Sequence, residues 1–442
     1  MASALSSHWF TRLFAGAAIA HIAGNAPRTL GALGVATLAL GLVAAVLIVR
    51  PQHRWLRVLL GVLVIVTMFF EAPFLGNHWL VAAFVAAALL GASFASNWWR
   101  SFAPMARAIL LVFYSFAAFA KLNEGFFDPV NSCGLFYANQ WLNSWGLPQL
   151  PPGDLAPLTV ALLAAAIELA VPVLLLVRRT RPYGVMLGFA FHFAISLDLH
   201  QHFYDFTAVL LALFTLFIED RHTDIWESRA VQHERSLGAI AAAGMALTAL
   251  AVLPPSPATD WILDIGAFLV WIPVGLVLVV GVLRMPTTLP ARIRLVPGSV
   301  AGGVLVLLVV INGLTPYLGV KTAYGFNMYA NLSTAEGESN HFVIRQTAQF
   351  VDVEMVSITA SSDPGLAAYV DSGLLVPERN IRHHLASRPT ATVTYIGQAG
   401  IVTGTGAELG ERLPLLVEKF GLFRSIDSGD QPRCQTVWLP AY

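Results

Sequence analysis

The stretch ARAILLVFYSFAAFAKL, residues 106–122, decides the fold. It is an almost unbroken apolar run, and a helix that crosses the hydrocarbon core of a bilayer needs about 20 such residues. Similar runs recur along the chain and predict ten spanning helices, at 30–49, 58–75, 78–95, 106–122, 155–177, 183–199, 206–218, 237–253, 262–283 and 300–319. Residues 8–25 are also apolar and predict a signal-like segment, an interfacial helix or a short first span, which we expect to be retained.

The composition is that of a polytopic membrane protein. The 442 residues are 56% hydrophobic and 12% charged, with a mean hydropathy of +0.67, whereas an average soluble domain carries roughly 25% charged residues. An ordinary cytosolic enzyme and a disordered protein are therefore excluded. The 26 basic and 26 acidic side chains balance, so we expect no nucleic-acid partner, and the lipid bilayer is the expected partner.

The arginines predict the orientation of these spans. Arg occurs in alternate linkers, at 50–57, 96–107, 178–182 and 284–299. The linkers between them contain neither Arg nor Lys: 76–77, 123–154, 199–205 and 254–261. Because positively charged loops stay in the cytoplasm, the second set of linkers is predicted to lie outside.

The composition changes after residue 319, where 21 of the last 123 residues are charged against 31 of the first 319. This change predicts two parts, a transmembrane domain at 1–319 and a soluble extracytoplasmic α+β domain at 320–442. Alternating patterns predict strands within the second domain, at 341–346, 351–359 and 390–397. The segment 413–420 predicts a helix there, since Pro414 lies early in it and Gly421 follows it.

Lys121 is the most informative ionisable residue at membrane depth. The chain contains 26 Lys and Arg together, of which only three are Lys, so its basic positions are mostly Arg. A buried lysine can lose its proton, whereas arginine cannot, so a position that requires a neutral amine as a base must be lysine. Tyr114 lies seven residues earlier on the same helical face. The alternative is a lysine that extends to the membrane interface and anchors the helix there.

Two histidines and one glutamate also fall in or beside predicted spans, where ionisable groups are costly. His78 opens the third predicted span, where it is a helix-start or interface group or a functional one. His192 lies in the middle of a span, where it either hydrogen-bonds a neighbour or takes part in function. Glu168 is deep enough in its span that we expect it to be protonated or paired.

The residues Asp198, His200, His202 and Asp205 resemble a metal-binding group in composition only, because no second histidine-rich element completes it. We therefore expect no metal. Cys133 and Cys434 both fall in segments predicted to lie outside, in an oxidising compartment. They are either two free thiols or one disulfide that fastens the C-terminal domain over the lysine.

Three motifs in one order resemble a known family. The segment ILLVFYSFAAFAKLNEGFF, with Lys121-Leu122-Asn123, followed by CGLFYANQW, is similar to the region around the catalytic lysine of vitamin K-dependent gamma-carboxylase and of bacterial membrane proteins with the HTTM (horizontally transferred transmembrane) domain. Asn77-His78 resembles the Asn-His pair before an earlier span of that family. Phe191-His192, followed by HFYDFTAVLLALF, resembles its Phe-His span. The resemblance covers roughly residues 8–220.

The resemblance implies a membrane enzyme that uses a reduced naphthoquinone. In that family a neutral lysine deprotonates the quinol, which reacts with oxygen to become a strong base, and this base leads to carboxylation of a glutamate side chain. Lys121 would be the base, with His78 and His192 as further catalytic residues and with Tyr114, Asn77 and Phe191 as cofactor contacts. The resemblance also implies the plasma membrane of a bacterium.

Residues 320–442 do not resemble the large extracytoplasmic region with which the carboxylase docks its substrate. Two hypotheses about function therefore follow from the sequence. The first is a quinone-dependent carboxylase or oxidoreductase that acts on a protein or small-molecule carboxylate. The second is a non-catalytic membrane protein that binds a lipid or quinone or transports a solute.

Overall fold

The computed structural model describes residues 4–25, 31–153, 155–286, 292–334, 336–427, 429 and 433–434. This part of the chain is mostly helical, and its only sheet lies near the C-terminus. The helices that precede the sheet are α1 (Ala4–Asn25), α2 (Ala32–Val49), α3 (Arg54–Glu71), α4 (Asn77–Ser93), α5 (Trp98–Ala120), α6 (Cys133–Ser144), α7 (Leu155–Leu176), α8 (Arg181–Ile195), α9 (Phe203–Phe214), α10 (Asp220–Gln232), α11 (Glu234–Ala251), α12 (Pro257–Leu283) and α13 (Val300–Leu314).

Each of the ten predicted spans overlaps one of these helices. Within the described ranges, α2, α5, α7 and α12 are long and apolar enough to cross a membrane, by length and composition. Three further apolar helices are shorter: α4, α13 and the region of α9. The prediction of a mostly helical chain with apolar helices of spanning length is thus confirmed, and the number of crossings stays a prediction.

Helix α1 packs among other helices, against α2, α9, α10 and α11. Its side chains Phe10, Phe14 and Ile22 are buried in the main hydrophobic core. This packing favours a place for residues 8–25 within the helical bundle over an interfacial helix, which would keep one face in the lipid headgroups.

The sequence did not predict α6 and α10, which lie between predicted spans. Helix α10 is polar, with Asp220 in its first turn and Arg229 in its last turn, where each charge is favourable to the helix dipole. It is held against α1 by a buried ion pair, in which Arg12 Nε lies 2.8 Å from Glu227 Oε2. Hydropathy alone misses such a helix because its segment is polar and its buried Glu227 is paired with Arg12, which is distant in the sequence.

The C-terminal part contains a five-stranded antiparallel sheet in the order β4-β3-β1-β2-β5. Its elements are β1 (Met355–Ser361), α14 (Pro364–Ala367), β2 (Leu374–Pro377), α15 (Glu378–Leu385), β3 (Thr392–Gly397), β4 (Gly400–Thr405), α16 (Gly406–Leu409), α17 (Leu415–Phe420) and β5 (Ile426–Asp427). The predicted strands at 351–359 and 390–397 correspond to β1 and β3, and the predicted helix at 413–420 to α17.

The predicted strand at 341–346 is wrong. The backbone there makes only isolated bridges, because it turns towards the end of α5 instead of joining the sheet. The Phe342 amide donates to the Leu122 carbonyl at 2.9 Å, and the Glu124 amide donates to the Asn340 carbonyl at 3.1 Å. Residues 339–342 therefore cover the carboxyl end of α5.

Described residues after 319 lie both in the core of the helical body and in a second core further along the chain. Tyr324 and Phe326 are buried in the core of the helical body. Val356 and Tyr395 belong to a second core, which lies beneath the sheet. The segment that follows α13 thus packs on the helices before the sheet begins.

Candidate active site

Lys121 is the residue that directly follows α5, and its side chain is turned into the protein. Its Nζ lies 2.8 Å from Glu168 Oε2 of α7, and the two side chains are 8% and 15% exposed. The Ala117 carbonyl accepts a longer hydrogen bond from Nζ at 3.4 Å, and the Phe126 ring lies 5.8 Å away. Glu168 is thus paired, and we name these two residues the lysine pair.

Asn123 fixes the turn that brings Lys121 to this position. Its Nδ2 donates to the Ala120 carbonyl at 2.7 Å, and its Oδ1 accepts from the Phe126 amide at 2.9 Å. The Asn123 side chain is fully buried. The Lys-Leu-Asn motif therefore has a local cause, since the amide of Asn123 satisfies backbone groups at the helix end that have no partner within the helix.

A second polar pair lies on the same face of α5. The Tyr114 hydroxyl and His192 Nε2 of α8 are joined by a hydrogen bond of 2.5 Å. Both side chains are buried, and His192 Nδ1 has no hydrogen-bond partner among the described residues. We name Tyr114 and His192 the tyrosine–histidine pair.

His78 belongs to a third group, the histidine cluster, formed by His21, Glu71, His78 and Asp205. His78 Nε2 lies 2.7 Å from Asp205 Oδ2. His21 Nδ1 lies 3.1 Å from the same oxygen, and His21 Nε2 lies 2.9 Å from Glu71 Oε2. The indole of Trp79 stacks on the His21 ring with 3.7 Å between the ring centroids. The cluster thus joins α1, α3, α4 and α9.

His21 was not among the residues predicted from the sequence. A signal was present, because His21 and Asn25 are four residues apart and so share one face of an otherwise apolar helix. Both side chains reach Asp205 in the structure.

The Phe206 ring connects the histidine cluster with the tyrosine–histidine pair. Its centroid lies 5.8 Å from the His78 ring and 5.2 Å from the His192 ring. The predicted cofactor contact Phe191 is half-buried beside the His192 ring, at 5.2 Å between centroids.

Asn77, another predicted cofactor contact, has a backbone partner. Its Oδ1 accepts a hydrogen bond from the Phe326 amide at 3.1 Å, and its side chain is buried. This contact ties the start of α4 to the segment that follows α13. Beside it, a Cβ built on Gly76 would lie 2.5 Å from the His78 ring, so the close approach of that ring requires glycine.

The four residues that resemble a metal-binding group in composition do not form one site. Asp198 accepts from Gln140 Nε2 at 2.9 Å, and the exposed His200 lies 2.9 Å from Ser144 Oγ. His202 Nε2 faces Asp264 Oδ1 at 3.3 Å. Asp205 lies instead beside His21 and His78 of the histidine cluster.

The structure also buries a second lysine, which the sequence analysis did not single out. Lys321 Nζ donates to Asn312 Oδ1 at 2.7 Å. Burial lowers the pKa of Lys321 to about 8, because desolvation disfavours the charged amine. Lys121 differs from it in having a carboxylate partner.

The remaining pairing concerns the two cysteines. The structure joins Cys133, at the start of α6, to Cys434 in a disulfide across 301 residues of sequence. The Cys434 amide also donates to the Asn131 carbonyl at 3.1 Å. Cys434 is thus fastened to the loop that follows Lys121.

These groups give the site its chemical possibilities. The lysine pair can hold or exchange one proton between nitrogen and oxygen, and the tyrosine–histidine pair can do so between a phenol and an imidazole. The surrounding side chains are largely aromatic. Comparisons of the chain with protein-family models, with curated proteins and with solved structures found no match.

Proposed function

We propose that this chain is a membrane enzyme, related to the vitamin K-dependent gamma-carboxylase and HTTM proteins, in which Lys121 accepts a proton from a reduced quinone. The observation that carries the proposal is the buried lysine pair, with Nζ 2.8 Å from Glu168 Oε2 at the end of an aromatic-rich helix. Ionisable groups within predicted membrane spans are costly and usually functional.

Glu168 supplies the means by which Lys121 can act as a base. Low polarity around a buried ion pair disfavours separated charges, so the proton on Nζ can move to Oε2 across 2.8 Å. Nζ is then a neutral amine with a free electron pair. When a donor hydroxyl releases its proton to Nζ, the electron pair of the O–H bond stays on the donor oxygen.

The chain's other polar groups fit a quinol ligand. A reduced naphthoquinone, when bound, supplies an acidic hydroxyl and the electrons for reaction with oxygen. His192 Nδ1 is a buried nitrogen without a partner among the described residues, so it is available to a ligand hydroxyl. Phe126 supplies an aromatic side chain beside Lys121, with its ring 5.8 Å from Nζ.

The test is turnover by detergent-purified protein supplied with a reduced naphthoquinone and oxygen, with quinone epoxide as the measured product. We expect wild-type protein to form the epoxide and Lys121→Ala to be inactive, with partial rescue by an added small amine. Lys121→Arg should also be inactive, because a guanidinium stays protonated. Lys419→Arg is the matched control and should retain activity, since among the described residues Lys419 Nζ donates to the Ala72 carbonyl and lies over the Phe69 ring.

An active Lys121→Arg variant would remove the lysine from the mechanism and favour an interface anchor. Wild-type protein that retains a quinone-like chromophore but forms no product would favour the alternative, a non-catalytic quinone- or lipid-binding protein. Solute transport without a bound chromophore would favour a transporter.

We also propose that the chain is an integral multi-pass protein of a bacterial plasma membrane, with its C-terminal part outside the cytoplasm. The distribution of arginine among the linkers supports this orientation. The disulfide agrees with it, because disulfides persist in oxidising compartments. A reporter that is active only in the cytoplasm, fused after Tyr442, should give no signal, and a strong signal would reverse the orientation.

A further inference from the structure

We propose that the histidine cluster is a binding site for a divalent transition-metal ion, with His21, His78 and Asp205 as ligands and Glu71 orienting His21. The ligand atoms of His21, His78 and Asp205 all lie within 4.8 Å of one another. The four side chains come from four different helices, and each residue is at most 7% exposed. The inference is independent of the proposed quinone chemistry.

Of the two carboxylate oxygens of Asp205, only Oδ2 has hydrogen-bond partners among the described residues. His21, His78 and Asn25 all lie within hydrogen-bonding distance of Oδ2. Asp205 Oδ1 is buried and has no partner among the described residues. A carboxylate buried with one oxygen unused is costly, and a cation bound by both oxygens of Asp205 would remove this cost.

The spacing suits a metal. Bonds of about 2.1 Å in a tetrahedral site separate neighbouring ligand atoms by roughly 3.4 Å. The nitrogens of His78 and His21 lie 2.7 Å and 3.1 Å from Asp205 Oδ2. The ligands therefore need to move apart by less than about 1 Å to admit the ion.

Glu71 has the position of an outer carboxylate. A histidine that ligates a metal usually donates its other ring N–H to a carboxylate, which fixes the ring and its tautomer. Glu71 Oε2 lies 2.9 Å from His21 Nε2. With the proton on Nε2, the lone pair of His21 Nδ1 faces Asp205 and is free to bind the ion.

The charges of the proposed metal site also balance. The proposed assembly takes Asp205 and Glu71 as carboxylates, with two negative charges, and among the described residues neither has a lysine or arginine partner. Two neutral imidazoles, two carboxylates and one divalent cation sum to zero. A neutral assembly is the arrangement that a buried, apolar environment tolerates best.

The donor set narrows the choice of metal. Two imidazole nitrogens and a carboxylate suit Zn²⁺ or Fe²⁺, and sites of this type leave positions open for water or substrate. Thiolate ligands are absent from the cluster, and Cys133 and Cys434 are in a disulfide. The proposed site therefore has the composition of a catalytic metal site more than of a structural one.

The test measures metal bound to full-length protein purified in detergent without a histidine tag. After treatment with a chelator and equilibration with Zn²⁺, Mn²⁺ or Fe²⁺ followed by desalting, elemental analysis should find about one ion per chain for at least one metal. Substitution with Co²⁺ should give visible absorption bands of a nitrogen- and oxygen-ligated ion. Folded wild-type protein that retains none of the four ions would overturn the proposal, and the cluster would then be a hydrogen-bonded network only.

Variants separate this site from adventitious binding. His78→Gln and Asp205→Asn should lose the ion, and Glu71→Gln should weaken binding about 10- to 100-fold. The matched control is His200→Gln, an exposed histidine outside the cluster, which should bind like wild type. If His78→Gln and Asp205→Asn fail to fold, Glu71→Gln still tests the site, because an unchanged metal affinity in this variant would contradict the role assigned to Glu71. Loss of the ion in His200→Gln would place the metal elsewhere.

Discussion

The lysine pair permits a quantitative prediction of stability. At 2.8 Å, two unit charges interact by about 6 kcal/mol when the effective dielectric constant is about 20. Desolvation offsets much of this attraction, yet removal of one partner from a buried pair typically costs about 3–5 kcal/mol, because the other charge is left unpaired. Lys121→Met and Glu168→Met should therefore each lower the free energy of unfolding by about 3–5 kcal/mol.

The double variant distinguishes pairing from simple loss of packing. Methionine is linear and apolar, so Lys121→Met with Glu168→Met leaves no unpaired charge and should lie within about 1–2 kcal/mol of wild type. The resulting coupling energy is at least about 4 kcal/mol. The assay is reversible unfolding of detergent-solubilised protein by a denaturing detergent, followed by the fluorescence of its 11 tryptophans.

A surface pair in the same chain supplies the control. Arg345 and Glu124 form an ion pair with side chains 60% and 43% exposed. A double-mutant cycle at this pair should give a coupling energy of less than about 1 kcal/mol. A coupling energy equally small at Lys121 and Glu168 would refute the argument that their charges are shielded from solvent.

Three further predictions concern other parts of the chain. The pKa of Lys321 is about 8 in the folded protein, against 10.5 as its ordinary value, so the unfolded chain binds the extra proton between these values. Stability should therefore rise from about pH 8 to 10.5, and a melting-temperature series should lose this rise in Lys321→Met. Gly76→Ala should displace the His78 ring, because the added Cβ would lie 2.5 Å from it; unchanged thermal stability in this variant would contradict the close approach. Reduction of the disulfide between Cys133 and Cys434 should speed proteolysis near the C-terminus but not within the helices, and equal cleavage rates before and after reduction would show that the bond does not fasten that segment.

The sequence could predict the helices because their cause is local. An apolar run of sufficient length must satisfy its backbone groups internally if it enters a bilayer, and a helix does so. Helix α10 follows a different rule, since its buried Glu227 depends on Arg12, 215 residues away along the chain. The hydropathy of the α10 segment does not indicate that Arg12 is its partner.

The candidate site likewise contains residues that the sequence could predict and contacts that it could not. Lys121, His78 and His192 could be singled out because each is a polar side chain in an apolar segment. Their partners could not be identified, because Glu168, Asp205 and Tyr114 come from other helices and only folding brings them near. Asp205 in particular fitted a local histidine-rich motif, yet its contacts are with His21 and His78, which are 184 and 127 residues away.

The backbone of residues 339–342, which covers the carboxyl end of α5, has a consequence for kinetics. It closes the approach to Lys121 along the helix axis, while Glu168 keeps its exposed edge on α7, whose apolar surface is largely uncovered by protein. A reactant that meets the lysine pair would then arrive sideways, by diffusion within the lipid. If the proposed reaction takes place there, the effective concentration of the reactant is its mole fraction in the bilayer. Diluting a fixed amount of reactant with inert lipid should then slow turnover, whereas adding buffer at constant lipid composition should not.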